Sequence, residues 1–360
     1  MNISNIKNSY EWAVIGAGPA GMASVGKLID LGVNPKNIAW IDPEFKVGDL
    51  GAKWRNVSSN TRVDLFVKFL EGIKAFNYKN CPKRFELHDL KPDQTCLLKY
   101  AADPLAWVSQ ELEKQVNPIR SKVLKLKMQD RHWQMTLDQN HSSHAPEIPG
   151  NIQARNIILA VGSEPKTMPS PIPLIPMEDA LDKEKLAKWV DHQDVVGVFG
   201  ASHSAIIVIR LLLELGVKEV INFYRAPLRY AVYMDNWILF DNTGLKGETG
   251  KWARENIDGK MPENLTRVFS SEENNKAYLP RCTQAVQAIG FNRRNIVIEG
   301  MPVIEYNDKS GIIAPGLFGF GIAFPETTVD TFGNIESSVG LFKFLNYLNR
   351  VAPVWQKYVN

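Results

Sequence analysis

Cysteine is scarce in this chain of 360 residues: Cys81, Cys96 and Cys282 stand far apart and no C-x-x-C occurs. That excludes a redox dithiol and a zinc knuckle, and an odd, sparse set of thiols fits a reducing compartment. A strong charge of either sign is also missing. Lys and Arg number 42 against 39 Asp and Glu, a formal charge of +3 with no basic block, which argues against nucleic acid or an acidic membrane as partner. The longest apolar run, AIIVIRLLLEL at 205–215, is interrupted by Arg210 and too short to cross a bilayer. The opening MNISNIKNSYEW lacks the apolar core of a signal peptide. His141 and His144 lie in a polar stretch, QNHSSHAPEIPGN at 139–151, with no carboxylate or cysteine at ligand spacing, so no metal site is expected. These absences together describe a cytoplasmic protein without metal.

What remains is the composition of an ordinary globular protein, 44% hydrophobic and 22% charged. The length exceeds what one core usually serves, so two domains are expected.

YEWAVIGAGPAGMASVGKLIDLG reads as a short apolar strand, a tight turn and a helix, with Gly16, Gly18 and Gly21 in G-x-G-x-x-G. The first glycine permits the turn, the second lets backbone approach a pyrophosphate, and the third lets helix and strand pack closely. NIAWID then gives a second strand ending in Asp42, 21 residues after Gly21, placed to accept hydrogen bonds from both ribose hydroxyls of a dinucleotide. Gly16, Ala17, Gly18, Pro19, Ala20, Gly21 and Asp42 therefore form the first candidate cofactor site.

The unit recurs at 194–225, DVVGVFGASHSAIIVIRLLLELGVKEVINFYR. Here Gly200 keeps the turn, Ser202 replaces the second glycine and Ala205 the third. Ser202 and Ser204 can offer hydroxyls to a pyrophosphate, and His203 a contact to nicotinamide or phosphate. Arg225 and Arg229 follow the second strand where an acid would stand in an NAD site, which suits the 2′-phosphate of NADPH. A degenerate half without nucleotide is the competing reading.

A helix (DPLAWVSQELEKQV) and two strands (SKVLKLKMQ, with Val123 as a cofactor contact, and HWQMTLD) follow the first unit. ARNIILAVGSEP reads as a strand ending at Val161-Gly162 before a proline-rich crossing at 163–176. TQAVQAIGF is the last strand of the second unit, and GLFGFGIAFPETTVDTFGNIESSVGLFKFLNYL gives a strand, a loop and a C-terminal helix. The expectation is an α/β protein of two Rossmann-like three-layer domains, the second inserted into the first. Residues 1–165 with 290–360 would bind FAD, and 166–289 would bind NADPH. An insertion at about 226–280 serves either as a cover for the cleft or as decoration. Two dinucleotide sites facing one cleft suit hydride transfer from nicotinamide to flavin.

The landmarks GAGPAG, ILAVGSEP with Gly162, GASHSA and AIGF occur in order along nearly the whole chain. In these the chain resembles the two-dinucleotide-domain flavoproteins, and, lacking the cysteine pair of the disulfide reductases, their single-component flavin-containing monooxygenases. The resemblance places Trp54 and Ser59-Asn60-Thr61, in WRNVSSNTR, along the flavin, with Asn60 supporting oxygen transfer from a hydroperoxyflavin. It also sets Gly321-Ile322 where a reductase would carry Gly-Asp. An asparagine suits that place because its amide donates and accepts without titrating. Arg62 and Asp64 are expected to pair beside it, and Phe66, Phe69 and Phe76 to be core. A polar surface loop without chemistry is the plainer alternative. The resemblance thus implies FAD and NADPH as cofactors, dioxygen as co-substrate, and oxygen transfer to a nitrogen or sulfur of a small molecule. An NAD(P)H dehydrogenase and a non-catalytic flavin-binding redox sensor are the alternatives. Oligomeric state stays open, a homodimer included.

Overall fold

A computed structural model describes residues 7–139 and 149–358; His141 and His144 lie outside the described residues. The first strand, β1 (Ser9–Ile15), leads through the glycine turn into α1 (Pro19–Asp30) and β2 (Ile38–Ile41). A short α2 (Gly48–Ala52), β3 (Ser58–Arg62), α3 (Val63–Glu71) and β4 (Thr95–Leu97) precede the long α4 (Lys99–Gln115). Then come β5 (Asn117–Ile119), β6 (Val123–Gln129), β7 (His132–Leu137) and β8 (Asn151–Leu159).

β8 organises the larger sheet. Its first half pairs antiparallel with β7, from Gln153 onward it runs parallel to β1, and its second half takes a strand from the far end of the chain. On the opposite side of β1 lie β2 and β5, both parallel. The second half of β1, all of β2 and the end of β8 read as unbroken apolar runs because the sheet is covered on both faces. One cover is the core shared by α1, α3, α4 and the C-terminal helix, in which Phe66, Phe69 and Phe76 are buried, as expected.

After the short β9 (Ser163–Pro165), helical turns α5 (Met177–Ala180) and α6 (Lys183–Leu186) lead to β10 (Val195–Phe199), α7 (His203–Glu214) and β11 (Glu219–Tyr224). Next are the hairpin strands β12 (Val232–Tyr233) and β13 (Ile238–Leu239), α8 (Gly247–Ala253), β14 (Leu265–Phe269), α9 (Glu272–Tyr278) and β15 (Gln284–Gln287). The second sheet is four-stranded and wholly parallel, in the order β14-β11-β10-β15. β14 therefore belongs to that sheet, and the added segment ends before Leu265 rather than at 280. Val268 on β14 packs beside Ile221 and Phe223, which is why this stretch joins the sheet.

The chain returns through β16 (Phe291–Arg293), antiparallel to β9, so the outward and return crossings form one ribbon. β17 (Val297–Ile298) extends the large sheet at β6. β18 (Ile312–Ala314) and β19 (Leu317–Gly319) follow, with β19 lying parallel to the second half of β8. The stretch expected as a loop is a hairpin, β20 (Glu326–Val329) and β21 (Ile335–Ser338). The helix α10 (Leu341–Tyr358) closes the chain, its Trp355 stacked on Phe318, which stacks on Trp12 of β1. Among the described residues no helix is long and apolar enough to cross a membrane.

Candidate functional site

The two glycine turns share one backbone plan. Gly16 has φ +108° and its N–H donates to the Ile41 carbonyl at 2.8 Å. Gly200 has φ +126° and its N–H donates to the Phe223 carbonyl at 2.9 Å. Both pass a neighbouring strand so closely that an added Cβ would come within 2.3 Å of a carbonyl oxygen, that of Ala160 or of Ala288. Only glycine satisfies both demands.

The central position is different. Gly18 has φ −74° and ψ 177°, Ser202 φ −95° and ψ −177°, so both are extended and open to any residue. A Cβ at Gly18 would meet only the Gly48 Cα, at 3.8 Å. Serine in the second turn thus leaves the backbone plan intact. At the third position the turns diverge: a Cβ at Gly21 would sit 1.8 Å from the Gly16 carbonyl oxygen, whereas Ala205 is accommodated with no exposure.

Each turn opens a helix of twelve residues whose N-terminus has no side-chain cap and no acid in its first turn. Uncapped N–H groups at the positive end of a helix form an anion site. Both turns therefore fit a pyrophosphate. Gly321, with φ +81°, packs against the start of α1, since a Cβ there would come 2.5 Å from that of Ala20. This brings Gly321 to the first turn.

Asp42 has a narrower role than the sequence suggested. Its Oδ2 accepts the Ala17 N–H and its Oδ1 those of Glu44 and Phe45, each at 2.8 Å. A carboxylate offers about four acceptor positions, so three backbone bonds leave one for a ribose hydroxyl, not two. The Val123 side chain is buried in the core of β6, where the residue pairs with Leu137. Its Cβ alternates inward because the sheet face there is covered. β8 stops at Leu159, before Gly162, whose φ of +74° turns the chain away; its carbonyl accepts the Arg294 N–H.

In the second unit β11 ends at Tyr224, so Tyr224 occupies the place of Asp42 and Arg225 comes one residue later, exposed. Arg229 stacks over Phe240 at 5.2 Å and faces the added segment rather than the turn. Arg267 on β14 stacks over Tyr224 at 4.6 Å with its Nε donating to Asn222 at 2.9 Å. Sequence reading passed over Arg267, because a lone arginine on an edge strand carries no local signal.

WRNVSSNTR is neither a loop nor simply a wall. Its second half is β3, antiparallel to β4. Trp54 packs edge to face with Phe291, and Val57 is buried in the core of the second unit with Val196 and Val198. Ser59 is buried, its hydroxyl donating to the Thr61 carbonyl at 2.8 Å. Asn60 alternates outward and is exposed. The Thr61 hydroxyl donates to Asn60 Oδ1 at 3.2 Å, fixing the amide so that its NH₂ faces away as a free donor. Arg62 pairs with Asp64 at 3.1 Å, as expected.

His203 is turned away from any ligand in this arrangement. One ring nitrogen, Nε2, lies 2.9 Å from the Ser58 carbonyl and must carry the proton. The other, Nδ1, is shut off from solvent without a partner. Burial pushes the ring below the usual histidine range, and neighbouring Lys246 acts in the same direction, so the imidazole is neutral.

The added segment is tied to the C-terminal hairpin. The Glu336 carboxylate accepts the N–H groups of Asn242 and Thr243, and Asp241 is ion-paired with both Lys246 and Lys343. A cavity of about 340 Å³ lies between them, lined in part by Trp237, Thr328, Val329 and Lys343. Cys96 and Cys282 are free thiols that burial pushes up to about 11, too high for nucleophilic work. Among the described residues no group of three or more His, Cys, Asp or Glu is placed to hold a metal ion.

No protein-family model matches the chain. The chain is 34% identical to monooxygenase AgnR1 of Paecilomyces divaricatus over 383 aligned positions, covering 95% of this chain and 97% of that one. A variant of the flavin monooxygenase from Stenotrophomonas maltophilia superimposes with a TM-score of 0.65 at 11% identity, covering 98% of this chain and 99% of that one. The ornithine N-hydroxylase of Kutzneria sp. 744, solved with reduced FAD, NADP⁺ and L-ornithine, gives 0.64 at 12%, with 97% and 99% covered.

Proposed function

Since the chain belongs to the monooxygenase family of AgnR1, within the two-dinucleotide-domain flavoproteins, we propose that it is an FAD enzyme reduced by NADPH. It transfers one atom of dioxygen to a nitrogen or sulfur of a small molecule. The other atom leaves as water, with two electrons and a proton from NADPH and a second proton from solvent. The observation that carries this reading is the pair of glycine turns, alike in backbone, each at an uncapped helix and each at the carboxyl end of a parallel strand pair in its own sheet.

Residues 16–21 with Gly321 hold the FAD pyrophosphate region, and Asp42 takes one ribose hydroxyl. Gly200, Ser202 and Ser204 hold the NADPH pyrophosphate, Ser202 having a hydroxyl not used as a cap. Arg225, exposed beside the end of β11, meets the 2′-phosphate. FAD, when bound, accepts hydride from NADPH and activates dioxygen. Asn60 donates a hydrogen bond from an amide held by Thr61, a neutral donor fixed before the reaction begins. We assign 1–165 with 290–360 to FAD and 166–289 to NADPH, in keeping with the ribbon of β9 and β16 that joins them. Three free thiols support a cytoplasmic location.

The test is anaerobic mixing of the FAD-loaded protein with NADPH, then oxygen, with methyl phenyl sulfide and dimethylaniline as probes. Bleaching by NADPH, and oxygenated product formed at the expense of peroxide, are expected. Bleaching followed by peroxide alone with both probes would defeat transfer to nitrogen or sulfur. No bleaching by NADPH would defeat the reductant assignment.

A further inference from the structure

Six residues of the segment 49–58 are tied to the second unit or to the crossings that serve it. Asp49 pairs with Arg294, Lys53 with Glu178 at 2.9 Å, and Trp54 packs on Phe291. Asn56 donates to Asp182 at 2.8 Å, and Val57 is buried in the second core. The last tie is that of His203 to the Ser58 carbonyl. Asn60 stands two residues beyond it on the same short strand.

His203 is not required by its own helix. The corresponding residue of the first turn is Pro19, which has no donor to offer, yet α1 begins there just as α7 begins at His203. Nor does the ring have an atom left for the coenzyme, since Nε2 is engaged and Nδ1 is enclosed. What it does is join the turn assigned to NADPH pyrophosphate to the strand carrying Asn60. A displacement of about 1 Å in a group that must meet a reacting centre can cost on the order of a hundredfold, so the anchoring of β3 bears directly on Asn60.

We propose that His203 is a positioning residue for oxygen transfer: its Nε2–H bond to Ser58 fixes the height of β3, and with it the Asn60 amide. This rests on the function proposed above. Loss of the bond leaves hydride delivery intact and shortens the time for which activated oxygen is retained, which appears as peroxide.

The experiment uses FAD-loaded protein with NADPH in air and no substrate, reading the rate of peroxide release, alongside the anaerobic rate of flavin bleaching and KM for NADPH. His203→Leu should raise peroxide release several-fold while bleaching and KM stay within about twofold. His203→Gln, whose amide nitrogen reaches to the same depth, should restore slow release. Equal release from the Leu and Gln variants overturns the proposal, as does a raised KM with unchanged release, which would make His203 a coenzyme ligand. If His203→Leu does not fold, His203→Asn carries the comparison, being polar but too short to reach Ser58. Rapid release from it is expected, and wild-type release overturns the proposal. Asn60→Ala separates the two levels. If it leaks and the His203 variants do not, only the positioning role fails; if it does not leak, the role of Asn60 fails.

Discussion

Trp40 and Asn222 perform the same task in the two units. Trp40 Nε1 donates to the Gly16 carbonyl at 3.0 Å, and Asn222 Nδ2 donates to the Gly200 carbonyl at 2.8 Å. Each residue lies one position before the strand residue that accepts the glycine N–H, Ile41 or Phe223. Each glycine is thus gripped at both its N–H and its C=O, which holds the turn rigid. Chemically unlike side chains do this because the strand position, not the residue type, sets the geometry. Asn222 does more, since it also donates to the Val198 carbonyl and accepts from Arg267.

Asn222→Leu should therefore be costlier than Trp40→Phe. The first strips partners from two carbonyls and a guanidinium; the second strips one carbonyl. A buried polar group left unpaired costs roughly 1–3 kcal/mol, so about 1–3 kcal/mol is expected for Trp40→Phe and more for Asn222→Leu. Urea midpoints of the two variants, read as ΔΔG, check the order. An equal loss would show that the asparagine's extra bonds contribute nothing.

The third position of the turns gives a sharper contrast. Gly21→Ala would place a methyl 1.8 Å from the Gly16 carbonyl oxygen, with the helix backbone unable to yield. The first turn must open, and FAD content after purification should drop several-fold with a lowered Tm. Ala205→Gly creates only space and a more flexible backbone, at about 1 kcal/mol. It should bind NADPH nearly as before. Retained FAD in Gly21→Ala would show that the turn is softer than its packing implies.

The two arginines after β11 should also part company. Arg225 is exposed beside the turn, whereas Arg229 is stacked on Phe240 and directed at the added segment. Arg225→Ala should raise KM for NADPH about tenfold, the loss of one charge-assisted contact, and leave KM for NADH unchanged. Arg229→Ala should change neither by more than about twofold. Steady-state bleaching rates with both nucleotides decide this, and an effect on NADH equal to that on NADPH would remove Arg225 from the 2′-phosphate.

Local chemistry made most of the fold legible. Strand, glycine turn, helix and strand could be read twice, at β1 to β2 and at β10 to β11, because the apolar period and the demand for positive φ are properties of neighbouring residues. The Arg62–Asp64 pair was legible for the same reason. What escaped was set by contacts distant in sequence. β14 reads as part of an insertion until its pairing with β11 is seen. Asp42 looks free until the loop at 44–45 folds back onto its carboxylate. The role of His203 depends on a carbonyl 145 positions earlier in the chain. The hydroxyl-rich stretch near 330 reads as a loop because Gly333 and Asp330 signal a turn, while the hairpin around it is held by side chains such as Glu336 reaching another segment.

The partly buried charges that tie the added segment to α10 make a prediction in pH. Burial resists ionisation of Asp241, but Lys343 and Lys246 beside it prevail and hold its carboxyl below the usual range. Its folded pKa is therefore lower than the unfolded value of about 3.9. The stabilisation is complete above that unfolded value and is lost as pH falls through the folded one. The wild-type Tm should hold from neutral pH to about pH 5 and fall below about pH 4. Asp241→Asn removes this component and leaves Lys246, whose side chain is 8% exposed, with the Asp241 backbone carbonyl but without its opposite charge, at a cost of about 3 kcal/mol near pH 7. Its Tm should therefore start lower and decline less steeply in acid. Asp64, Asp182 and Glu214 are depressed as well, so the acid limb shrinks without vanishing. Tm measured from pH 3 to 8 on both proteins checks the sign: parallel curves would mean that Asp241 is no more acidic in the folded chain than in the unfolded one.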